Sequence, residues 1–489
     1  MTDQSETLIE RTLSNLTALW RDIAQSAARV IGQSEQAPPV ENRADLVAFM
    51  TECLEARGGE VAARMRAAAL GKAYLGLDGE GRRRFLEILA EEFAVDQAAL
   101  DQAVGAYQAA READDPEAIR HARRALHQAT IPPRVKLLMQ FNALPQGVKF
   151  LVDLRADLLA FRDRGAALDD LDHDLRDLLA SWFDTGFLDM SQVTWDSPAS
   201  LLEKLIAYEA VHEIRSWQDL RNRVDSDRRL FALFHPRMPD EPLAFVEVAL
   251  VHGIARNIQA LLDESAPPID PETADTAIFY SITNTQKGLR GISFGEYLIK
   301  RAVQHLAAEL PQVKTFATLS PVPGLRAWLT ACAVETIEGA LSEAERGGVR
   351  ALGGSDDVQV ALNAVLARPD WHLDPVVCKA LKEAMLRLCV RYLRERRPDG
   401  QPIDPVARFH LKNGARLEHV NWLGDTSPQG LAQAAGLMVN YRYVLDEIEA
   451  NHEAYMRDGR IAMGPEVRAL ARTADEPEGR DPLRRLGLR

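Results

Sequence analysis

The first third of the chain carries the apolar spacing of amphipathic helices. Between residues 6 and 181, apolar side chains recur three and four positions apart, as at Phe85, Ile88 and Leu89. Residue types that favour helices, above all Ala, Leu, Arg and Glu, are abundant in the same region. Clusters of proline, glycine and aspartate interrupt the pattern every ~15 to 20 residues. This spacing predicts roughly eight helices that pack as a bundle or an array.

The pattern changes after Ser181, where short runs of apolar and β-branched residues appear. Residues 243–251 are apolar almost throughout, which is typical of a strand buried on both faces. Residues 276–282 form a second such run, and a helical pattern over residues 297–310 follows it after a glycine-containing turn. A strand, a turn, a helix and a further strand in this order predict an α/β region.

The predicted fold class is α plus α/β, with an all-helical region at residues 1–180 and a mixed-sheet region at residues 181–470. Residues 340–355 are charged and rich in glycine, which predicts a surface loop. Residues 471–489 combine proline, glycine and charge with little apolar content, which predicts a flexible tail.

The composition is that of a globular protein with substantial cores. Of the 489 residues, 46% are hydrophobic and 27% are charged, so bulk disorder is disfavoured. The 58 Lys and Arg residues are outnumbered by 72 Asp and Glu residues, which gives a net charge of −14. Such a chain repels nucleic acid unless a local basic patch overrides its charge, so no nucleic-acid partner is expected. An anionic ligand needs a dedicated pocket.

The cysteines and the N-terminal segment indicate a reducing, cytoplasmic setting. The four cysteines lie far apart in sequence and form no CxxC pair, so neither a disulfide framework nor a zinc site is predicted. The first residues are polar and acidic, whereas a signal peptide is basic and then apolar. No stretch approaches the ~18 uninterrupted apolar residues of a membrane span, so no membrane partner is expected.

A glycine-containing loop joins the second predicted strand to the helix that follows it. Residues 283–300 have the sequence TNTQKGLRGISFGEYLIK, with Gly288, Gly291 and Gly295. A loop that opens a helix presents unpaired N–H groups and the positive end of the helix dipole to one point, which suits a pyrophosphate. A plain strand-to-helix turn is the alternative, since neither GxxxxGK[ST] nor GxGxxG is present.

The same loop is similar to the Q/R-x-x-G-x-G/A segment of acetyltransferase-type (GNAT) folds. Arg290 stands at the first position, Ser293 replaces the first glycine, and Gly295 occupies the last position. In that fold the segment binds the pyrophosphate of coenzyme A, so the resemblance implies a coenzyme A thioester as the ligand.

Ser320 stands at the end of a predicted strand, residues 313–319, which Pro321 and Pro323 cut off. Ligands in open α/β sheets bind near strand ends, so the hydroxyl is a candidate site group. A serine in a proline-stiffened turn is the alternative. No GxSxG motif surrounds it, so a hydrolase-type nucleophile is disfavoured.

Residues 404–425 combine a histidine with amide and carboxylate groups in a setting that predicts a strand. They include His410, Asn413, Asn421 and Asp425. His410 has apolar neighbours and is either a satisfied core residue or a catalytic group. No HExxH pattern or carboxylate triad accompanies it, so a metal site is disfavoured.

Two further polar residues adjoin predicted strands. Tyr443 ends the NYRY stretch of an apolar run that begins at Gly436, and His235 precedes the strand of residues 243–251. Tyr443 is alternatively a packed residue with a satisfied hydroxyl, and His235 alternatively belongs to a proline-shaped entry loop.

Taken in order, these segments resemble the malonyl-CoA decarboxylase family. The motifs are HPRMPDEPLAFVEVAL, FYSITNTQKGLRGISFGEYLIKR, FATLSPVPGLRAWL, FHLKNGA, NWLGD and GLMVNYRY. The resemblance implies a helical N-terminal domain for self-association and a GNAT-like catalytic domain that converts malonyl-CoA to acetyl-CoA and carbon dioxide. It also implies a homo-oligomer, as a dimer or tetramer, and neither a metal nor a separate cofactor. The C-terminal GLR is no SKL-type peroxisomal signal, which favours a cytoplasmic, bacterial-type enzyme.

Motif positions carry the family's site residues onto this chain. Ser320 and His410 are the implied catalytic pair, and Tyr443 is a further catalytic residue. The implied coenzyme A phosphate loop comprises Arg290, Gly291, Ile292, Ser293, Phe294, Gly295 and Glu296. The possible oxyanion or pocket residues are Asn413, Asn421, Asp425 and His235. Animal members carry a glutamate at the position of Ser293, so any carboxylate support for His410 comes from elsewhere or is absent.

Decarboxylation asks for these residue types. Loss of carbon dioxide from a malonyl thioester leaves an enolate, whose oxygen needs preset hydrogen-bond donors such as Asn413 or backbone amides. The enolate carbon then takes a proton, and an imidazole with a pKa of ~6.5 carries one at neutral pH. His410 is therefore expected to protonate the enolate. Ser320 is expected to bond the departing carboxylate or to relay a proton.

Two other functions stay open at this point. The GNAT-like loop also suits a coenzyme A-dependent acyltransferase that acts on an amine. A non-catalytic acyl-CoA-binding scaffold would instead use the helical region to recruit partners.

Overall fold

A computed structural model describes residues 20, 42–55, 59–292 and 294–475, and eight helices follow one another between residues 43 and 182 of the described chain. These helices are α1 (Arg43–Leu54), α2 (Gly59–Leu75), α3 (Gly79–Glu92), α4 (Gln97–Glu112), α5 (Pro116–Ala129), α6 (Pro133–Phe141), α7 (Gly147–Ala160) and α8 (Ala166–Trp182). Aspartate caps begin several of them, since Asp78, Asp96 and Asp115 each accept N–H bonds from the first turn. The predicted helical N-terminal region is confirmed.

The remaining chain is built on one mixed sheet. The strands are β1 (Asp189–Val193), β2 (Arg228–Phe234), β3 (Ala244–Val251), β4 (Thr276–Asn284), β5 (Thr315–Thr318), β6 (Ser320–Pro321), β7 (Arg416–Asn421) and β8 (Met438–Tyr443). The sheet order is β1-β2-β3-β4-β5-β8-β6, and β7 also pairs with β8. Among the described strands, β4 and β5 form the one parallel pair.

Helices cover this sheet and connect its strands. The helices are α9 (Ala199–Tyr208), α10 (Trp217–Arg223), α11 (Ile258–Leu261), α12 (Gly295–Glu309), α13 (Leu325–Ala331), α14 (Val334–Glu338), α15 (Glu343–Gly353), α16 (Val358–Leu366), α17 (Pro375–Arg394), α18 (Pro405–Lys412), α19 (Pro428–Ala434), α20 (Ile448–Asp458) and α21 (Pro465–Asp475). Because α12 crosses over between the parallel strands β4 and β5, the predicted α/β unit and the predicted mixed sheet are confirmed.

The predicted strands match where the apolar runs were longest. β3 lies between β2 and β4 and is buried at every position except Val251, as its nearly continuous apolar sequence requires. β4 and α12 occupy the predicted second strand and the helix after it.

The predicted surface loop at residues 340–355 is wrong, because most of it is helix α15. Ser342 accepts the N–H of Glu345, and the Glu345 carboxylate accepts the N–H of Ser342, which completes a capping box. Gly354 ends the helix in the left-handed conformation at φ 67°. The S-x-x-E motif that starts this helix is present in the sequence, but the glycines of the segment favoured the prediction of a loop.

The strand setting predicted for His410 is also wrong. His410 lies in α18, which begins after Asp404, and the nearest strand, β7, starts only at Arg416. The Asp-Pro pair at residues 404–405 is an ordinary helix start, in which Asp404 accepts the N–H of Ala407.

The parallel strands β4 and β5 separate beside Ser320. Tyr280 of β4 has no partner in β3, because Ser281 pairs with Glu247 while Phe279 pairs with Val248. β5 pairs with β4 only as far as Phe279, and the chain then continues into β6, which pairs with β8 instead. Ser320 is therefore placed where the sheet divides.

Two further features bear on the regions proposed from sequence. Residues 471–475 of the predicted flexible tail lie in α21, and residues 476–489 fall outside the described residues. Within the described ranges, every helix is too short or too polar for a membrane span.

Candidate active site

Three residues that are far apart in sequence meet in the interior. Ser320 Oγ lies 3.3 Å from His410 Nε2, and His410 Nδ1 lies 2.8 Å from the hydroxyl oxygen of Tyr443. All three are buried, with 5%, 2% and 4% of their surface exposed. The structure therefore brings together the three residues that the sequence singled out as catalytic.

The sheet and α18 fix this arrangement. Ser320 pairs with Val439 of β8, so its side chain lies on the same face as Tyr441 and Tyr443. The His410 ring stacks on the ring of Tyr441, with centroids 4.6 Å apart and an angle of 23° between the planes. The tyrosines thus support the imidazole from two directions.

The hydrogen bonds define where each proton lies. Ser320 donates to Thr318 Oγ1 at 2.8 Å, and Thr318 Oγ1 also accepts the N–H of Tyr441 at 3.1 Å. Because the serine proton is used in this way, Ser320 Oγ accepts from His410 Nε2–H, and Nδ1 accepts from Tyr443. The protons form one row that runs from Tyr443 through His410 to Ser320 and Thr318.

Burial keeps the imidazole neutral. Removal from water lowers the pKa of His410 from 6.5 to about 3, so the ring carries no charge near pH 7. This corrects the expectation of an ordinary imidazole pKa: the transferable proton is the Nε2–H of the neutral ring. Burial likewise raises the pKa of Tyr443, and the charge of Glu296 raises it further, so the phenol keeps its proton.

Glu296 is the carboxylate whose charge acts on this row. It stands in the first turn of α12 and pairs with Lys300 at 3.1 Å. None of the described carboxylates hydrogen-bonds to His410, whose ring partners are Ser320 and Tyr443. Ser293 lies outside the described residues.

The predicted coenzyme A loop borders a cavity of about 400 Å³. Lys287, Arg290 and Gly291 line one side of the cavity, and α7 of the helical region supplies another. Among the described residues, no side chain caps the start of α12 at Phe294, so none of them competes with an anion for the N–H groups of the first turn. The cavity combines two cationic side chains with a helix N-terminus, which suits phosphate groups.

Gly295 links this loop to α18, the helix that carries His410. A Cβ atom at Gly295 would lie 2.7 Å from Phe409 Cζ, closer than side-chain carbons approach one another. Phe409 directly precedes His410, so the start of α12 is connected to the residue that carries the buried imidazole through one ring.

The four predicted oxyanion or pocket residues lie at separate places. Asn413 ends α18, and its Nδ2 meets no partner among the described residues, while Asn421 Nδ2 donates to Asn440 Oδ1. Asp425 accepts from Gln259 and borders a second cavity of about 210 Å³. None of the three hydrogen-bonds to a ring nitrogen of His410.

His235 is engaged by the backbone. Its Nδ1 accepts the N–H of Arg237 at 3.1 Å, which leaves Nε2–H to donate to the carbonyl oxygen of Trp182 at 3.0 Å. Both ring nitrogens are therefore used in joining the end of α8 to the entry of β3.

Sequence reasoning missed two groups that touch the proton row. Thr318 and Tyr441 lie two residues from Ser320 and Tyr443, and a strand places such pairs on one face. That period-two spacing was the available signal. It becomes informative only when the strands β5, β6 and β8 are known to be neighbours.

Comparison with known proteins supplies the family. A family model described as the malonyl-CoA decarboxylase C-terminal domain matches residues 186–480, and a model of the N-terminal domain matches residues 93–183. The chain belongs to the malonyl-CoA decarboxylase family. Its resemblance to that family, drawn from six motifs, is confirmed.

Similar proteins include two animal enzymes of this family. The chain is 36% identical to mitochondrial malonyl-CoA decarboxylase of Anser anser anser, over 83% of this chain and 83% of that protein. It is 34% identical to mitochondrial malonyl-CoA decarboxylase of Mus musculus, over 92% of this chain and 89% of that protein.

Two bacterial crystal structures of the family have the same fold. Malonyl-CoA decarboxylase from Agrobacterium vitis is 43% identical, with a TM-score of 0.77, and the match covers 87% of this chain and 99% of that chain. The enzyme from Rhodopseudomonas palustris is 41% identical, also with a TM-score of 0.77, and the match covers 88% and 99% of the two chains.

Proposed function

We propose that this protein is a carboxy-lyase that converts malonyl-CoA to acetyl-CoA and carbon dioxide. Membership of the malonyl-CoA decarboxylase family supports the reaction. The observation that carries the mechanism is the buried row of Tyr443, His410 and Ser320, in which each hydrogen-bonded distance lies between 2.8 and 3.3 Å.

The coenzyme A phosphates bind in the cavity beside Arg290 and the start of α12. Lys287 and Arg290 supply positive charge, which an anionic ligand needs on a chain with a net charge of −14. The acyl end then extends toward the place where β4 and β5 separate, next to Ser320. This arrangement puts the malonyl group near the proton row.

The reaction breaks the bond between the carboxylate carbon and the α-carbon. The bonding electron pair moves into the thioester carbonyl and forms an enolate, while carbon dioxide leaves as a neutral molecule. A buried site favours this step, since a localised carboxylate charge is costly to hold away from water and the step moves that charge onto the enolate, where preset donors can bond it. Asn413 Nδ2, which is buried and unpaired among the described residues, is a candidate donor to the enolate oxygen.

His410 then gives its Nε2 proton to the enolate carbon. The phenol proton of Tyr443 moves to Nδ1 as the ring loses its own, so the imidazole remains neutral throughout. The thioester enolate is a stronger base than a phenolate, which drives the transfer. Ser320 Oγ accepts the Nε2–H bond and so orients the imidazole before the transfer. A proton from water restores Tyr443 after product release.

An assay of acetyl-CoA formation tests the proposal. Purified protein is mixed with malonyl-CoA, and the acetyl-CoA released is measured by coupling to citrate synthase between pH 5.5 and 8.5. We expect turnover without an added amine. Absence of acetyl-CoA at every pH would contradict the proposal, and consumption of acetyl-CoA only when an amine is present would indicate an acyltransferase.

The helical region is proposed to mediate self-association into a dimer or tetramer in the cytoplasm. Helix α4 has no buried residue and α5 has only Ala122, so this hairpin offers a large exposed surface. The four cysteines are free, as expected in a reducing compartment. Sedimentation velocity checks the assembly: a monomer at every concentration would contradict it.

A further inference from the structure

A helix of the N-terminal region supports the coenzyme A loop from behind. α7 packs against the turn Lys287–Leu289, and a Cβ atom at Gly288 would lie only 1.7 Å from the carbonyl oxygen of Val152. The loop and the helix are therefore in backbone contact. Displacing α7 would displace the loop.

One buried arginine joins the two elements. Arg155 Nη1 donates to the carbonyl oxygens of Gly288 at 2.7 Å and Arg290 at 2.9 Å. Its Nε donates to Asp172 Oδ1 at 2.8 Å, and only 3% of the arginine side chain is exposed. Asp172 of α8 balances the buried charge, and the two carbonyls gain the partner that buried backbone groups need.

The same contact orients a donor on the other side of the loop. The peptide bond between Arg290 and Gly291 is planar and trans, so a carbonyl directed at Arg155 turns the N–H of Gly291 away from Arg155. That N–H meets no acceptor within residues 59–292 and 294–475, and Gly291 lines the cavity. Gly291 also has φ 88°, a conformation that favours glycine.

We propose that Arg155 is a positioning residue for the substrate. It holds the loop so that the Gly291 N–H and the Arg290 side chain face the phosphates of malonyl-CoA. The helical region then contributes directly to substrate affinity, in addition to any role in assembly. This inference rests on the proposed coenzyme A role of the loop.

The chain offers a matched control in Arg134. Arg134 is also buried in the helical region and has the same kinds of partner, with Nε on Asp174 of α8 at 2.6 Å and Nη1 on the carbonyl oxygen of Ala90 at 2.6 Å. Both partners belong to the helical region, so Arg134 supports that region alone. Loss of either arginine removes comparable packing, but only Arg155 touches the loop.

The test compares malonyl-CoA with malonyl-pantetheine, which has the same thioester but lacks the nucleotide phosphates. Arg155→Met is expected to raise KM for malonyl-CoA about tenfold and to leave kcat within about twofold, because a misplaced loop weakens binding. Its kcat/KM for malonyl-pantetheine stays within about twofold of the unmodified protein. Arg134→Met leaves the constants of both substrates within the same range, although its melting temperature falls.

Equal losses with both substrates, or the same KM change in Arg134→Met, would overturn the inference. If Arg155→Met does not fold, Arg155→Lys replaces it, since lysine keeps the charge but cannot reach both carbonyls. Arg290→Gln tests the loop separately. A wild-type protein without preference for malonyl-CoA would refute the loop's role and with it the inference. If Arg290→Gln lowers the preference for malonyl-CoA over malonyl-pantetheine but Arg155→Met retains it, the role of Arg155 is refuted while the role of the loop stands.

Discussion

His410 is a neutral imidazole because its surroundings are dry, and its two ring nitrogens have different partners. Tyr443 can only donate to Nδ1 while Ser320 receives from Nε2, so the row of bonds selects one tautomer. In the proposed mechanism, a neutral ring that already carries the Nε2 proton needs no change of charge before it acts as the acid.

Replacement of the imidazole removes the proton donor. We expect His410→Gln to lower kcat for malonyl-CoA by about 10² to 10⁴-fold, the usual contribution of one catalytic proton transfer. Binding of coenzyme A, measured by calorimetry, is expected to change little. His305→Gln, at an exposed position of α12, serves as the control and retains activity. A kcat within twofold of the unmodified protein would exclude His410 as the acid.

A comparison of variants at the two buried tyrosines of β8 distinguishes a role in proton transfer from a role in packing. Tyr443→Phe removes the proton that moves to Nδ1 and is expected to lower kcat by about 10² to 10⁴-fold, the usual contribution of one catalytic proton transfer. Tyr441→Phe makes the same chemical change beside it, but the Tyr441 hydroxyl has no partner among the described residues and the ring stacking is kept. Steady-state kinetics of the pair should differ; equal losses would contradict the relay.

The lowered pKa of His410 sets a pH dependence of stability. In the unfolded chain the imidazole binds a proton below about pH 6.5, whereas in the folded protein it does so only below about pH 3. Folding stability from this group is therefore complete above pH 6.5 and falls as the pH drops toward 3, by about 1.4 kcal/mol per pH unit. Urea unfolding at pH 7 and pH 5 should show a smaller loss for His410→Gln than for the unmodified protein. Equal losses would show that the folded-state pKa is not lowered.

Among the helices and strands, the candidate active site lies where the ends of several elements meet. The start of α12, the last turn of α18 and the strands β6 and β8 each contribute a few residues, and Phe409 against Gly295 fixes the distance between the two helices. Asp404 holds the start of α18, because it caps the helix and accepts the hydroxyl of Tyr392 from α17 at 3.0 Å.

Gly295→Ala tests the contact between these helices. The added methyl group would press on Phe409 and shift α18, so kcat is expected to fall about tenfold or more while the far-UV circular dichroism is retained. Gly347→Ala in α15 is the matched control, since a Cβ atom there meets nothing within 4 Å. That variant should be fully active and slightly more stable, because alanine favours helices. Full activity of Gly295→Ala would show that the contact is unimportant.

At the scale of the whole molecule, the helical region and the sheet share one core. A single cluster of buried apolar residues runs from Trp20 to Ala471 in α21 and includes Phe150 of α7 and Leu289, which precedes the predicted coenzyme A loop. The two sequence regions are thus packed as one unit along α7, which also lines the cavity beside the loop.

Two buried cysteines allow a test of whether the two regions unfold together. Cys53 lies in α1 and Cys389 in α17, and both are fully buried and free. If the regions unfold together, pulsed thiol labelling in urea should give the same midpoint at both positions. Labelling of Cys53 at a clearly lower urea concentration than Cys389 would show that the helical region unfolds by itself.

Periodicity was sufficient for most elements but failed where two signals competed. The buried strand β3 and the helix α12 have patterns that one conformation alone satisfies, and both were predicted. At α15 the glycines outweighed a genuine capping box, and at α18 polar residues within an apolar context suggested a strand. Short amphipathic helices bury few residues, so their periodicity is weak, and capping residues are then the better signal of a helix.

The helical and mixed-sheet regions, the family and the residue types of the candidate site could be predicted from the sequence, because they depend on local spacing and on motifs along the chain. The hydrogen bonds that join Ser320, His410 and Tyr443, the lowered pKa of His410 and the contact of Arg155 with the loop follow from the folded structure. These contacts and the lowered pKa depend on burial away from water. Residues that are far apart in sequence are buried together only after the chain has folded.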